Sequence, residues 1–442
     1  MDHAHPEESP PAPRAEAPIA YEAPPRPRHR VLRALGLGLI TGAADDDCSA
    51  IGTYASAGAK LGPSFLWTAP VTFPMMVAVV YLSAKLGQVA GQGLFAVIRT
   101  YYPRWLLSTT LIGVMIGNTI EAAADLGGMA AALNLLIPLP IPWIVVGTAG
   151  LLVALQLWGS YTLIRNIFRW LALALLAYIP AALLAKPDVW EVLKGTLLPR
   201  LQFTEESLSL LVAVIGTTLS AYLYTWQSNE EVEEEIAMGR HQLSQRRGAT
   251  DAELRSSWWD IVTGMAFSNV IMYFIMLSTA STLFPAGQTD ITTAAEAAHA
   301  LQPLAGKAAG LLFALGVVGV GFLAVPVMIS GAAYDLCQTF GWHQSLHARP
   351  HEAKAFYAVI VVVTLIAVGL NFLGFNPMKA LVWSGIVQGF STPPLLLLIM
   401  LMTNNRRIMG AQVNSRALNV LGWITTGAIF AATGGLVLSW FL

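Results

Sequence analysis

Apolar segments of about 20 residues recur from residue 31 to the end of the chain, and they constrain the fold more than any other feature. A segment of this length spans the hydrocarbon core of a bilayer as a single helix. Charged residues make up only 12% of the chain, whereas soluble domains carry about 25%. The sequence therefore predicts an all-α integral membrane protein that lies in a lipid bilayer.

We predict about eleven transmembrane spans, and residues 1–30 precede them as a disordered tail. The tail is rich in Pro, Ala, Glu and Arg and has few large apolar residues, so it cannot form a packed core. Basic residues at its end, from Arg26 to Arg33, favour a cytoplasmic N-terminus. The predicted spans are 31–60, 64–86, 105–136, 143–158, 161–184, 208–227, 258–284, 306–334, 355–373, 378–403 and 417–442.

Three consecutive aspartates, Asp45, Asp46 and Asp47, interrupt the first apolar segment. Each costs a few kcal/mol at the centre of a bilayer. A continuous helix could not hide all three, because successive side chains point about 100° apart. We therefore predict that the helix breaks here and that its unpaired backbone lines a polar cavity. A broken span that offers carboxylates and free carbonyls is suited to binding a cation.

The sixth segment has a small, hydroxylated centre formed by Gly216, Thr217, Thr218 and Ser220. Spans one and six are equivalent if five spans repeat with inverted topology, and interrupted helices at equivalent positions indicate a transport site. The alternative is that these hydroxyl groups only help helices to pack. The predicted domain thus covers residues 31–442, with repeats at 31–203 and 204–403 and an extra span at 404–442.

These two segments resemble the NRAMP transporters of divalent metal ions. The family's Asp-Pro-Gly-Asn segment reads 47–50 Asp-Cys-Ser-Ala here, and its methionine-containing segment reads 217–222 Thr-Thr-Leu-Ser-Ala-Tyr. The chain is most similar to a bacterial NRAMP-related branch that lacks the span-six methionine. The resemblance implies a LeuT-like fold, alternating access and a location in the bacterial cytoplasmic membrane.

The resemblance also carries the family's metal ligands onto this chain. In the family, an aspartate and an asparagine of span one, a methionine of span six and backbone carbonyls of both breaks hold the ion. The aspartate position is Asp47, and the carbonyl positions are Ala44 and Thr217. The asparagine position is Ala50 and the methionine position is Ser220, so two of the three side-chain ligands are absent.

The altered ligands predict a change in metal preference. A thioether favours soft metals, and Ser220 removes it. Asp45 and Asp46 add hard oxygens; Asp46 is a further candidate ligand, although it could instead cap the broken helix. Mg²⁺ prefers one or two carboxylates together with retained waters. We therefore expect transport of Mg²⁺ and Mn²⁺ with weak selectivity for soft metals.

Two carboxylates of span three, Glu121 and Asp125, are candidates for a proton path. They lie four residues apart and so share one helix face. Asp125 matches a family carboxylate, but Gly128 and Asn118 occupy the positions of two other acidic residues. We therefore favour uncoupled transport. The alternative is a proton-coupled Mn²⁺ and Fe²⁺ importer of the ordinary NRAMP kind.

Three further residues are candidates to line the pathway. Tyr222 takes the position of a family histidine, and Gln388 lies on span ten. Cys48 takes the proline position beside Asp47, where its thiol either replaces the lost sulfur ligand or, as we favour, packs against a neighbouring helix.

The Pro393–Pro394 pair predicts a break in span ten. Five glutamates within residues 230–235 are interpreted as a solvated helix end in preference to an ion-collecting vestibule.

Other functions remain as alternatives. An organic-solute carrier of the same fold is disfavoured because the aspartates of span one would repel a carboxylate substrate, and a non-transporting sensor is a third possibility. The sequence contains no nucleophile–base pair, phosphate loop or nucleotide motif, so we expect no enzyme, no cofactor and no nucleic-acid partner. Cys48 and Cys337 lie in or beside apolar segments, which indicates no disulfide framework, and a monomer is compatible with the sequence.

Overall fold

The computed structural model describes residues 37–158, 173–346 and 348–441. Every regular element in these ranges is helical, as the sequence predicts. Nine helical segments of the described ranges are long and apolar enough to span a bilayer. The predicted tail, the start of span one and the first half of predicted span five lie outside the described residues.

The α-helices are numbered in chain order. They are α1 (Leu37–Asp45), α2 (Cys48–Leu61), α3 (Thr68–Ala90), α4 (Leu94–Tyr101), α5 (Arg104–Asn134), α6 (Ile141–Trp158), α7 (Tyr178–Leu184), α8 (Val189–Leu197), α9 (Glu205–Thr218), α10 (Ala221–Ala237), α11 (Leu243–Arg246), α12 (Asp251–Thr282), α13 (Ala294–Ala298), α14 (Gln302–Ala305), α15 (Ala309–Phe340), α16 (Lys354–Asn371), α17 (Pro377–Thr403), α18 (Arg406–Met409) and α19 (Arg416–Ser439). Short 3₁₀ segments lie at Gly62–Phe65, Leu173–Ala177, His299–Leu301 and Gly306–Ala308.

Both predicted interruptions are present. Span one divides into α1 and α2 at Asp46 and Asp47, and span six divides into α9 and α10 at Leu219 and Ser220. In each break the next helix begins from an extended residue, since Asp47 has φ −61° and ψ −179° and Ser220 has φ −61° and ψ 139°. Each break therefore leaves backbone carbonyls without helical partners.

The two broken spans lie side by side with opposite directions. The second half of span one, α2, packs against the first half of span six, α9, and α1 packs against α10. This pairing is the one expected for repeats of inverted topology. In the most apolar window of span six, 94% of the residues are buried, against 28% in α19. The breaks therefore lie at the centre of the helical domain and α19 lies at its edge.

Four long helices surround the breaks. Helix α12 packs against both halves of span one, α17 packs against α5 and α9, and α15 packs against α5 and α10. The approach of α1 to α12 is close because Gly42 has no side chain: a Cβ there would lie 2.1 Å from the carbonyl oxygen of Gly264. Side chains of α5, α12 and α17 consequently reach the broken segments.

The prediction that Pro393 and Pro394 break span ten is wrong, because α17 continues through both residues. A proline inside a helix removes the N–H that would bond to the carbonyl four residues earlier. For Pro393 this carbonyl belongs to Gly389, and the hydroxyl of Thr433 on α19 lies 3.1 Å from it and 2.9 Å from the Ile429 carbonyl of its own helix. A neighbouring helix thus supplies the donor that the proline removes.

Candidate metal site

Asp47 forms the N-cap of α2. Its Oδ1 accepts the backbone N–H of Ala50 at 2.7 Å, and its Oδ2 accepts the Tyr222 hydroxyl at 3.0 Å. The residue has no solvent exposure. A carboxylate at a helix N-terminus is stabilised by the backbone N–H groups and by the helix dipole. The structure therefore holds the Asp47 carboxyl group, fully buried, at the point where span one is interrupted.

The Tyr222 hydroxyl joins two of the predicted ligands. It lies 2.8 Å from the carbonyl oxygen of Ala44 and 3.0 Å from Asp47 Oδ2. A phenol carries one hydrogen and can donate fully to only one of these acceptors at a time. Tyr222 is itself fully buried on the first turn of α10. The structure therefore brings Ala44, Asp47 and Tyr222 into one polar cluster.

At the second break, the Ser220 hydroxyl contacts two backbone carbonyls and one carboxylate. This hydroxyl lies 3.0 Å from the carbonyl oxygen of Gly216, 2.9 Å from that of Thr217 and 3.2 Å from Glu121 Oε1. The carbonyl of Leu219 accepts the Tyr224 hydroxyl at 2.7 Å. The hydroxyls of Ser220 and Tyr224 therefore contact three backbone carbonyls of this break, although the Ser220 hydroxyl can donate fully to only one acceptor at a time.

Glu121 and Gln388 meet beside Ser220. The amide nitrogen of Gln388 donates to Glu121 Oε2 at 2.6 Å and to Asn118 Oδ1 at 3.3 Å. All of these side chains are buried. The predicted proton-path glutamate and the predicted pathway residue on α17 are therefore hydrogen-bonded to one another and adjoin the span-six break.

Asp125 forms hydrogen bonds to Ser49 at the span-one break. Its Oδ1 accepts the Ser49 backbone N–H at 2.9 Å and the Ser49 hydroxyl at 2.8 Å, so it caps the first turn of α2. Its Oδ2 is buried without a hydrogen-bond partner. The Ser49 hydroxyl also lies 2.8 Å from that of Ser384 on α17. Two carboxylates of α5 thus contact the two breaks separately, Asp125 the first and Glu121 the second.

Asp46 points to a different helix from Asp47. Its Oδ1 accepts the Ser268 hydroxyl of α12 at 3.2 Å, and Asp45 Oδ2 accepts the same hydroxyl at 2.6 Å. Both aspartates are fully buried. The structure therefore separates the three consecutive aspartates into one residue beside Tyr222 and two residues beside Ser268.

The Cys48 thiol is directed toward α15. It lies 3.5 Å from the carbonyl oxygen of Val317. The absence of side chains at Gly128 and Gly321 makes room for it, because a Cβ at Gly321 would lie 3.1 Å from the sulfur. This orientation corresponds to a packing role in preference to a sulfur ligand. Cys48 and Cys337 are both free cysteines.

Five acidic side chains lie together at the breaks. Asp45, Asp46, Asp47, Glu121 and Asp125 all have no solvent exposure. The ion pairs formed between described residues involve none of these five. Burying an anion without a counter-charge costs several kcal/mol. In the same ranges, no three His, Cys, Asp or Glu side chains converge as a metal cluster, so any bound cation relies on carbonyl and hydroxyl oxygens as well.

The interpretation of the glutamate run as a solvated helix end is wrong. Of the five residues only Glu234 is exposed. Glu231 accepts hydrogen bonds from three residues, Gln88, Gln227 and Ser257. Glu233 accepts the Tyr334 hydroxyl at 2.7 Å. Donors on α3, α12 and α15 cover this end of α10, and the charge pattern along the chain could not indicate them.

Several contacts at the breaks were not predicted from the sequence. Ser49 bonds to Asp125 and Ser384, Ser268 bonds to Asp45, and the Tyr54 hydroxyl lies 2.8 Å from that of Thr218. A serine within an apolar span is a weak signal, because such residues commonly bond to their own helix. The packing of α5, α9, α12 and α17 against span one gives these hydroxyls their partners.

Curated proteins with similar sequences are named as transporters. The divalent metal cation transporter MntH of Deinococcus radiodurans is 27% identical over 430 residues, which are 96% of this chain and 94% of the relative. The Bacillus subtilis protein of the same name is also 27% identical over 430 residues, covering 93% of each chain.

Solved structures show the same fold. The Eremococcus coleocola manganese transporter, in complex with an aromatic bis-isothiourea compound, matches with a TM-score of 0.70 at 19% identity, over 92% of this chain and 87% of the other. The nucleobase-cation-symport transporter Mhp1 in a closed conformation matches with a TM-score of 0.57 at 14% identity, over 92% and 89%. The fold is thus the LeuT-like fold that the sequence resemblance implied. The family of natural resistance-associated macrophage protein-like (Nramp) proteins matches residues 38–439, and the chain belongs to this family.

Proposed function

We propose that the protein is a secondary transporter that moves divalent metal cations across the cytoplasmic membrane by alternating access. The observation that carries this proposal is the group of five fully buried carboxylates at two interrupted helices, without an ion pair to another described residue. Such a group favours a cation of high charge density. The names of the curated relatives, divalent metal cation transporters, agree with it.

The transported ion would bind between the two breaks. Asp47 supplies a carboxylate, while Ala44 and Thr217 supply carbonyl oxygens that now accept the hydroxyls of Tyr222 and Ser220. The ion would take over these acceptors and release the two hydroxyls. Since every one of these residues is fully buried, entry and exit require the helices around the breaks to move.

Mg²⁺ and Mn²⁺ are the proposed substrates. Ser220 occupies the methionine position and offers a hydroxyl there. The Cys48 thiol faces Val317 on α15. Asp47, Ala44 and Thr217 offer oxygen ligands, which favour hard over soft divalent cations. Manganese is named for the Eremococcus coleocola neighbour, and the magnesium part of the proposal rests on the ligand chemistry alone.

We favour transport that is not coupled to protons. The family's additional glutamate position is Gly128, where a Cβ would lie 3.0 Å from a methyl group of Leu381 and 3.2 Å from Cβ of Cys48. A glutamate at this position would therefore require Leu381 and Cys48 to shift, which supports the absence of this carboxylate from the proposed mechanism. The alternative, a proton-coupled Mn²⁺ and Fe²⁺ importer, is supported by the hydrogen bonds that link Glu121 and Asp125 to the breaks.

Proteoliposome flux tests both parts of the proposal. We expect uptake of Mg²⁺ and Mn²⁺ with little preference for Cd²⁺, loss of uptake in Asp47→Asn, and no acidification of the lumen during uptake. Asp188→Asn is the matched control, because Asp188 is an exposed N-cap of α8 and asparagine also caps helices. Exclusion of Mg²⁺ at millimolar concentration would refute the substrate assignment. Acidification that follows metal uptake would favour the proton-coupled alternative.

A further inference from the structure

Asp45 and Asp46 form a second acidic centre that the transport site does not use. Asp45 is the last residue of α1 and Asp46 lies in the break. Both carboxylates contact the Ser268 hydroxyl of α12, at 2.6 and 3.2 Å. A hydroxyl has a single hydrogen, so it cannot donate fully to both aspartates. The two carboxyl groups therefore converge on one hydroxyl that cannot donate fully to both.

The remaining oxygens of this pair have no partner at all. Asp45 Oδ1 and Asp46 Oδ2 are buried and accept no hydrogen bond, and both residues have zero exposure. Two tyrosines nearby are already engaged elsewhere, because Tyr54 bonds to the Thr218 hydroxyl and Tyr224 donates to the Leu219 carbonyl. Unpartnered buried carboxylate oxygens are among the costliest groups a protein can contain.

The position of the pair adds to this cost. The C-terminal end of a helix carries a partial negative charge from its last unpaired carbonyls, and it favours cations over anions. Asp45 and Asp46 lie at the C-terminal end of α1. Asp47 occupies the opposite environment, since it caps the N-terminal end of α2 and bonds to Ala50. A cation beside Asp45 and Asp46 would neutralise the two carboxylates and the helix end together.

We propose that Asp45, Asp46 and the Ser268 oxygen form a second binding site for a hard divalent cation, beside and distinct from the transport site. The two carboxylates match the charge of such an ion, and all three groups offer the oxygen ligands that Mg²⁺, Mn²⁺ and Ca²⁺ prefer. The site faces α12, whereas the Asp47 cluster faces Tyr222 on α10. The inference deepens the proposed function and rests on it, because it assigns two divalent ions to the interrupted region.

The test counts Mn²⁺ ions bound to the full-length chain in phosphatidylcholine nanodiscs, by equilibrium dialysis and elemental analysis. We expect two ions for each wild-type chain, one for Asp45→Asn/Asp46→Asn, one for Asp47→Asn and none for the triple variant. Asparagine keeps the size of aspartate, so these variants preserve packing. Ser268→Ala should weaken one of the two sites by about 10- to 100-fold and leave the other unchanged.

Asp335→Asn is the matched control, because Asp335 on α15 is equally buried and both of its carboxylate oxygens lack partners. It should bind two ions. Loss of an ion in this control would overturn the proposal, since binding would then follow total buried charge. One ion in the wild type, or an unchanged count in Asp45→Asn/Asp46→Asn, would also overturn it. The proposed function fails separately if Asp47→Asn keeps both wild-type Mn²⁺ binding and Mn²⁺ flux.

Discussion

The Tyr222 hydroxyl lies 3.0 Å from Asp47 Oδ2, although the two residues are separated by 175 positions in the chain. The same hydroxyl contacts the carbonyl of Ala44, which is the second predicted ligand on span one. A phenol thus bonds to the oxygens that the transported cation is proposed to use. At the proposed site, a bound metal would therefore compete with the Tyr222 hydroxyl for the same acceptors.

Tyr222→Phe removes this competition. We expect the apparent Kd for Mn²⁺ to fall about fivefold, because a hydrogen bond is worth about 1 kcal/mol net. Isothermal titration of the purified protein measures the change. Weaker binding in Tyr222→Phe would contradict the prediction and would indicate that the phenol oxygen is itself a ligand.

Ser220→Met restores a thioether at the second break. Ser220 is fully buried against Glu121 and the span-six carbonyls, so the larger side chain costs stability. We nevertheless expect the ratio of Cd²⁺ to Mg²⁺ uptake to rise by about tenfold or more, because thioether sulfur favours soft metals. Competition assays in proteoliposomes measure the ratio. Ser220→Leu is the control for size, and an equal rise in that variant would show that sulfur is not responsible.

The pair formed by Lys60 and Asp290 predicts a pH-dependent contribution to stability. Lys60 Nζ lies 2.9 Å from Asp290 Oδ1, and this hydrogen bond and charge lower the pKa of the Asp290 carboxyl. A carboxyl with a lowered pKa stabilises the folded state above its unfolded pKa, and this contribution disappears as the pH falls through the folded pKa. Because the Asp290 side chain is 71% exposed, the effect should be small and screened by salt.

Thermal unfolding of wild type and Asp290→Asn measures this contribution. We expect a lower Tm for the variant at about pH 7, and we expect this difference to shrink as the pH falls and to disappear once the pH is below the lowered pKa of folded Asp290. In a Lys60→Met background the substitution at Asp290 should have no effect at any pH. A Tm difference that persists at low pH would rule out the ion pair as its cause.

Thr433 compensates for Pro393 and should matter for stability. Its hydroxyl donates to the Gly389 carbonyl, which Pro393 deprives of its helical partner. Thr433→Val should destabilise the fold by about 0.5–1.5 kcal/mol, whereas Thr433→Ser, which keeps the hydroxyl, should cost less. Unfolding in a graded detergent mixture compares the two variants. Equal losses would mean that the methyl group, and not the hydrogen bond, stabilises this contact.

The sequence by itself determined the transmembrane spans and both breaks. Long apolar segments become membrane helices because the backbone must bond internally within lipid. Asp45, Asp46 and Asp47 lie at the break in span one. Gly216, Thr217, Thr218 and Ser220 lie at the break in span six. These outcomes depend on properties of consecutive residues, so a one-dimensional pattern suffices to predict them.

The tertiary structure alone decided which partner each polar group receives. Ser268 bonds to Asp45 across 223 positions, the α10 glutamates are covered by donors from three helices, and the Thr433 hydroxyl contacts the Gly389 carbonyl that Pro393 leaves unpaired. None of these pairings follows from local propensity, because each depends on how two helices rotate and approach. Burial and hydrogen bonding are properties of the packed helices, whereas hydropathy is a property of the chain.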